Sequence, residues 1–426
     1  MPDSKVMNDI TEDTPLLVRE AAITTDVEKP TKGASLNSSI ITLCNTALGA
    51  GVLSLSYALK CAGLVNGLIM LALTAYLART SLTFLTYCAS STKKFYYNEI
   101  SEAVLKTKKA RYLEIFLTLY TLGTCTGYPI IVSDMFNEIL KHWVTGWIPS
   151  EHRTQIIILV AVFIFIPLSF LPKLDFLKFT STAALFFILY LVVILVINVI
   201  INPIAPDIQL FNFDKKMWLA PPLITVAFTA HYNLPRIYEE LSDRTPARMV
   251  RVINASVTLC LMTYMLAGIG GYLHFGDLTD DDILNSFGEV RPPFYIQLAQ
   301  LGMGLVLCFS YPLVCFALRG SVENLALPKK YRGRMSTQMI VATIIVCVTC
   351  GIAIKVKKLS TVLGFSGSIP GMIIVFILPS IFYLKLPALD RPKGVEKLKA
   401  YFVLTMGFVF MIAGATIATL KAMNKL

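Results

Sequence analysis

Apolar residues in this chain come in long runs separated by short polar stretches. The runs lie at about 36–60, 64–90, 112–140, 155–171, 179–201, 217–238, 250–275, 294–318, 337–354, 360–384 and 400–420. A membrane-crossing helix needs about 20 consecutive apolar residues. The pattern therefore predicts an all-α polytopic membrane protein with eleven transmembrane helices and short loops. Residues 1–35 are polar, mixed in charge and poor in aromatics, the composition of a disordered tail. Residues 36–426 then form one transmembrane domain. Within the polar stretch 91–111, Tyr97–Leu105 has a period near 3.6 and predicts a short helix along a membrane face.

Composition agrees with this reading: 55% of residues are hydrophobic and 15% charged, with a mean hydropathy of +0.65. Soluble domains carry about 25% charged residues. The net charge of +11 would suggest a nucleic-acid partner on a soluble protein, but here the basic residues sit between the runs. Twenty-six Lys and Arg fall in the tail and the loops on its side of the membrane, and ten in the alternate loops. That bias places the N-terminus in the cytosol and the C-terminus on the other side. The loop 355–359, with three lysines, runs against it. The nine cysteines are scattered through apolar runs and read as small packing residues without a disulfide framework. No apolar signal segment precedes the first run. The loop 276–293 is acidic, with Asp277, Asp280, Asp281, Asp282 and Glu289. It reads as a solvated loop, or as a device that concentrates cations at that face.

Two runs are interrupted. The first contains Asn45-Thr46-Ala47-Leu48-Gly49-Ala50-Gly51, a poor helix for the middle of a span. The sixth contains Phe228-Thr229-Ala230-His231-Tyr232-Asn233-Leu234-Pro235. Proline removes a backbone donor, and an intramembrane histidine is costly unless it faces a cavity or a partner. Taken singly, each has a plain explanation, a small-residue packing face or a satisfied core histidine beside a kink. Together they stand first in two five-helix halves, 36–201 and 217–384, with 400–420 as an extra helix. Halves of five helices have opposite topology, and paired interruptions in inverted repeats point to a transport site at the midplane. A zwitterionic amino acid suits such a site. Its carboxylate takes the amides of Ala50 and Gly51, and its ammonium takes carbonyls near Thr46 and at Phe228–Thr229. Gly49 and His231 complete the expected substrate set.

These residues resemble a known family. Asn45-xxx-Gly49-x-Gly51-x-Leu53-x-Leu55-Ser56-Tyr57-Ala58 is similar to the first-helix motif of sodium-coupled neutral amino acid transporters in the amino acid/auxin permease family. His231, Leu234, Pro235, Tyr238, Glu240, Leu241, Arg248 and Met249 resemble that family's sixth helix and following loop, and Tyr272, Leu273, Phe275 and Gly276 the end of its seventh. Leu378, Pro379, Phe382, Tyr383 and Leu384 resemble its tenth. The resemblance implies a LeuT-like fold of inverted 5+5 repeats plus one helix, and ion-coupled symport of small neutral amino acids. It implies a sodium site at Asn45 and Ser310, with no further metal and no cofactor. This chain has Ser310 where animal members commonly have Thr, and lacks the extracellular cysteines of those relatives. Proton coupling, a vacuolar or lysosomal exporter, a cationic substrate and a non-transporting amino acid sensor therefore stay open, as does the choice between plasma membrane and vacuole or lysosome. An acidic residue four before Leu-Leu, Glu12 with Leu16 and Leu17, resembles a signal read by sorting adaptors. The chain has no repeated polar filter of a channel and none of the hydrolase or nucleotide motifs of an enzyme.

Overall fold

In the computed structural model the described residues are 33–105, 110–144, 149–170, 177–288, 292–328, 330–387 and 390–423. The regular structure among them is helical, apart from one isolated bridge between Ala34 and Leu241. Ser35 caps helix α1 (Leu36–Ala47) by accepting the amide of Ser38 at 3.2 Å. A 3₁₀ turn, Ala50–Ser54, leads into α2 (Leu55–Ala62), then come α3 (Leu64–Thr92) and α4 (Tyr97–Leu105). Next are α5 (Ala110–Trp143), α6 (Pro149–Val160), α7 (Ile166–Ser169) and α8 (Leu177–Ile201), and then the short α9 (Ala220–Ala227) and α10 (Leu234–Glu240). The remainder is α11 (Pro246–Phe275), α12 (Phe294–Ala326), α13 (Met335–Lys355), α14 (Leu359–Ser366), α15 (Leu378–Leu384) and α16 (Gly394–Ala422). Wide π-type turns at Ala161–Phe165 join α6 to α7, and at Gly367–Gly371 and Ile373–Ile377 they carry α14 into α15.

Among the described residues, nine helices are long and apolar enough to cross a membrane, or ten if the bent pair Leu36–Ala47 and Ala50–Ala62 is one span. The run 217–238 forms α9 and α10 instead, neither long enough to span alone. Large apolar side chains such as Phe163, Phe186 and Ile412 are exposed on the helix flanks. A soluble surface rarely carries so much apolar area, whereas lipid tolerates it. Inside, α11 packs on α1, α2, α3 and α8, while α5 lies along α12 and touches α13 and α14. The first broken helix, α1 and α2, belongs to the α11 group, and α9 of the second packs on α2 and α3 on one side and on α14 on the other.

Three local outcomes differ from the sequence reading. The expected disordered tail ends earlier than residue 35: the Ala34 amide donates to the Glu240 carbonyl at 2.7 Å, and the Ser242 amide donates to Ala34 at 3.0 Å. A Cβ on Gly33 would meet Ser242 Cα at 2.8 Å, so the tail's last residues are held against the loop after α10. The expected sorting signal, Glu12, Leu16 and Leu17, lies outside the described residues. Helix α4 is not a surface helix, because Tyr97, Ile100 and Ser101 are buried and the Tyr97 hydroxyl donates to Ile374 O at 2.8 Å.

The third difference is the acidic loop, whose aspartates are solvated only at Asp277 and Asp280. Asp281 and Asp282 are buried. Asp281 accepts the amide of Ser360 at 2.8 Å and its hydroxyl at 2.6 Å. The Ile283 amide donates to Leu53 O at 3.1 Å, Gln300 Nε2 to Leu284 O at 3.1 Å, and Lys141 Nζ to Gly288 O at 2.6 Å. Residues 276–288 are thus stitched across the bundle end where α2 and α11 finish. Burial, with Asp281 beside it, pushes the Asp280 carboxyl up to about 6. Burial and the nearby Asp134 hold Asp282 well above the usual carboxylate range.

Candidate functional site

Helix α1 stops because its small residues end in a turn that its own carbonyls cannot follow. Leu48 turns extended with its amide on Cys44 O at 2.7 Å, and Gly49 is extended as well. The chain then restarts, bent by 51°. A Cβ on Gly51 would lie 2.9 Å from Ala227 Cα, so only glycine allows the first broken helix to cross the second there. Helix α9 ends at Ala227. The Phe228 amide still reaches Ile224 O, and the Thr229 hydroxyl turns back to Thr225 O at 2.7 Å. Pro235 sits in the first turn of α10, where its missing amide hydrogen costs nothing.

A residue the sequence reading passed over joins the two breaks. The buried Tyr264 hydroxyl, on α11, lies 2.8 Å from Ala47 O and 2.6 Å from Ala227 O. These are the terminal carbonyls of α1 and α9. The Tyr264 ring stands edge-on to Phe228, with centroids 5.0 Å apart. Helix C-termini carry negative partial charge and unsatisfied carbonyls, and here one phenol proton serves both. Nothing in the local pattern around Tyr264 sets it apart from the other tyrosines of the chain.

A cavity of about 670 Å³ opens beside the first break. Asn45, Thr46, Gly49 and Ala50 line it from the first broken helix, Ser310 from α12, Thr121 and Tyr128 from α5, and Tyr232 and Asn233 from the second break. Its far reaches include Glu114 and Arg236. The Thr46 hydroxyl donates to Thr42 O at 2.9 Å, which leaves its lone pairs free. Pro312 lies inside α12 and leaves the Cys308 carbonyl, one turn before it, without its helical donor. The Asn45 amide oxygen and the Thr46 and Ser310 hydroxyls on this cavity are the hard oxygen donors that suit a small cation.

The expected site residues therefore divide. Thr46, Gly49, Ala50, Asn45 and Ser310 share one cavity. Gly51, Phe228, Thr229 and His231 do not line it. Gly51 is taken up by the contact with Ala227, and Phe228 and Thr229 are buried against Tyr264 and Thr225. His231 is fully buried and turned to α3, its Nε2 2.8 Å from the Ser81 hydroxyl. That hydroxyl donates to Ala78 O at 3.0 Å. The imidazole is then the donor through Nε2, and Nδ1 is left without a partner. The residues that replace His231 on the cavity are its neighbours Tyr232 and Asn233, which the helix-breaking Pro235 could have flagged. Tyr57 lies away from this cavity, near Lys421.

The sequence pattern of a family described as transmembrane amino acid transporter protein matches residues 32–420. The chain is 25% identical over 413 residues to the sodium-coupled neutral amino acid symporter 2 of Danio rerio, covering 89% of this chain and 81% of the relative. It is 26% identical over 414 residues to the vacuolar amino acid transporter 2 of Saccharomyces cerevisiae, covering 92% and 85%. It is 24% identical over 458 residues to the human sodium-coupled neutral amino acid transporter 4, covering 89% and 83%.

Proposed function

This chain belongs to the transmembrane amino acid transporter protein family, and from that premise we propose a secondary transporter that moves small neutral amino acids by symport with sodium. It is an amino acid transmembrane transporter and a multi-pass membrane protein, not an enzyme. The mechanism turns on the two interrupted helices. Counting 215–240 as a broken span gives eleven, arranged as LeuT-like inverted repeats over 36–201 and 217–384 with 400–420 outside them. The substrate lies in the cavity beside the first break. Its carboxylate takes the amide of Ala50, which lines the cavity, begins the 3₁₀ turn and has no partner within it; Gly51, turned to Ala227, permits the crossing rather than lining the cavity. Its ammonium takes the carbonyls at the end of α1. Sodium is held by Asn45, Ser310 and backbone oxygen, bridging a broken helix of the first repeat to a helix of the second. An ion that binds one packing of the two groups better than the other shifts the equilibrium between them, which is what coupling requires.

The observation that carries this reading is the shared cavity. It brings Asn45 and Ser310, 265 positions apart in sequence, to one cavity with the first helix break. The plain competing account is that both side chains only bond neighbouring helices, worth about 0.6 kcal/mol on average. Uptake of labelled alanine, serine, glutamine, lysine and glutamate into vesicles reconstituted with the full chain tests it, in sodium and in choline. The expected result is sodium-dependent uptake of the small neutral substrates. Asn45→Ala should raise the half-saturating sodium concentration several-fold and weaken apparent amino acid affinity at low sodium. Equal uptake in choline would remove the sodium site. One observation favours a proton-coupled reading in that event: the half-shielded carboxyl of Asp280 and the buried one of Asp282, whose affinity for protons is raised, at the end where 276–288 closes over α2.

A further inference from the structure

Of the three lysines at 355–359 that run against the loop charge bias, one gains company on folding. Lys358 lines a cavity of about 710 Å³ together with Lys60, Lys216 and Lys421. This cavity lies at the 276–288 end of the bundle and is separate from the one beside the first break. Its volume suits a small molecule. Four ammonium groups face two carboxylates, Asp214 and Asp277. Asp214 is engaged by the amide of Lys215 at 2.6 Å. Among the described residues, none of the four lysines reaches a carboxylate within ion-pair distance.

Two of the four meet on one ring. Lys421 Nζ is 4.6 Å and Lys60 Nζ 5.9 Å from the Tyr57 centroid. The ring face offsets part of their repulsion, and Asp281 and Asp280 act on Lys421 from beyond Ser360. Each ammonium has three donors. Lys60 uses two on Asp277 O at 2.5 Å and Thr279 O at 3.1 Å. Lys421 uses two on the Tyr57 hydroxyl at 3.0 Å and Ser360 Oγ at 2.5 Å. Ser360 Oγ donates in turn to Asp281. One donor remains on each. Lys216 and Lys358 are exposed and keep all of theirs. The vacant donors outnumber what one carboxylate could accept and match an oxyanion with three or more oxygens.

We propose that this cavity binds a phosphate-type oxyanion, free in solution or carried on a lipid headgroup, and that the bound anion holds residues 276–288 closed over α2. Lys60 and Lys421 are the link. They grip that segment, one through its carbonyls and the other through Ser360 and Asp281. Gathering four like charges opposes closure, and an anion among them removes the opposition. The inference does not depend on which substrate or ion the other cavity takes.

The test uses the full chain purified in detergent. Inorganic phosphate and pyrophosphate are titrated against sodium chloride at constant ionic strength, with melting temperature and amide exchange of 276–288 as readouts. A saturable rise in melting temperature and slower exchange at 276–288 are expected. Without anion, the double variant Lys216→Gln, Lys358→Gln should melt no lower than the wild type, because it removes two of the four like charges and neither side chain has a hydrogen-bond or ion-pair partner among the described residues. It should need about tenfold more pyrophosphate for half-saturation. In nanodiscs of phosphatidylcholine the free anions should act as in detergent. If instead the rise is already present in nanodiscs with phosphatidic acid and free phosphate adds nothing, the headgroup supplies the anion. The proposal is overturned if no anion gives a saturable shift, or if the double variant responds like the wild type.

Discussion

The two helix breaks are made of different chemistry, and the structure puts them to different use. The first is built from small residues, Gly49-Ala-Gly51, and leaves backbone at the edge of a cavity. The second is built from Thr, His, Asn and Pro and turns mostly inward, onto its own backbone and onto α3. Thr229 bonds Thr225, His231 bonds Ser81, and only Tyr232 and Asn233 reach the cavity. A polar side chain that can satisfy a freed carbonyl or imidazole locally does so. A break made of glycine and alanine has no such side chains and must borrow partners. Conspicuous polar residues in a membrane helix can therefore mark a finished piece of internal bonding, while inconspicuous small ones mark the open site.

The strongest way to break this contrast is inside the first interruption. Gly51→Leu would drive a side chain into Ala227 and is expected to abolish uptake. Gly49→Ala, whose Cβ meets nothing within 4 Å, should keep at least half of it. Uptake normalised to surface protein decides, and equal loss in both variants would show that the crossing at Ala227 is not the determinant. Next in size is Tyr264→Phe, which keeps the contact with Phe228 but orphans the carbonyls of Ala47 and Ala227. A buried unsatisfied group costs about 1–3 kcal/mol. A fall in melting temperature and about a tenfold loss of uptake rate should follow, neither restored by excess amino acid.

A smaller effect concerns the acidic segment. Asp280 titrates near 6 when 276–288 is closed, against 3.8 for its ordinary value. It faces Asp281, Asp282 and, through Asn285, the Asp134–Arg153 pair. The closed form therefore holds a proton that an open loop would release. Its advantage is complete below about 3.8 and is lost as pH rises through about 6. Amide exchange of 276–288, corrected for intrinsic rates, should slow from pH 7.5 to 5, and Asp280→Asn should flatten that dependence. The smallest effect is expected at the second break. His231→Gln keeps a donor for Ser81 and should leave the pH profile of uptake between 5.5 and 8 unchanged. A shifted profile would return His231 to the site.

Run lengths and the two interruptions were legible in the sequence because each is a local property. Thr46, Gly49 and Ala50 could be named from the first interruption itself, and Asn45 and Ser310 because motifs from two distant helices resembled one family. The facing of the second break was not legible. Whether His231 points to a cavity or to Ser81 depends on the rotation of α9 and α10 against α3, and adjacent residues in a turn point to different sides. Tyr264 was invisible for a related reason, since its role lies in the meeting of two carbonyls from elsewhere in the chain. The acidic loop misled in part by composition: four aspartates in six residues (277–282) look solvated, and Asp277 and Asp280 are, but Ser360 and the amide of Leu284 supply donors that let Asp281 and Asp282 sink.

The clasp between residues 33–35 and 240–242 has a mechanical consequence. It joins the start of the first broken helix to the finish of the second with two backbone hydrogen bonds. A tug on the chain before Gly33 is thus not borne by α1 alone. It divides between α1 and α10, loading both interrupted helices at the same end of the bundle, and a molecule that grips the tail can strain the two half-helices together without entering either cavity.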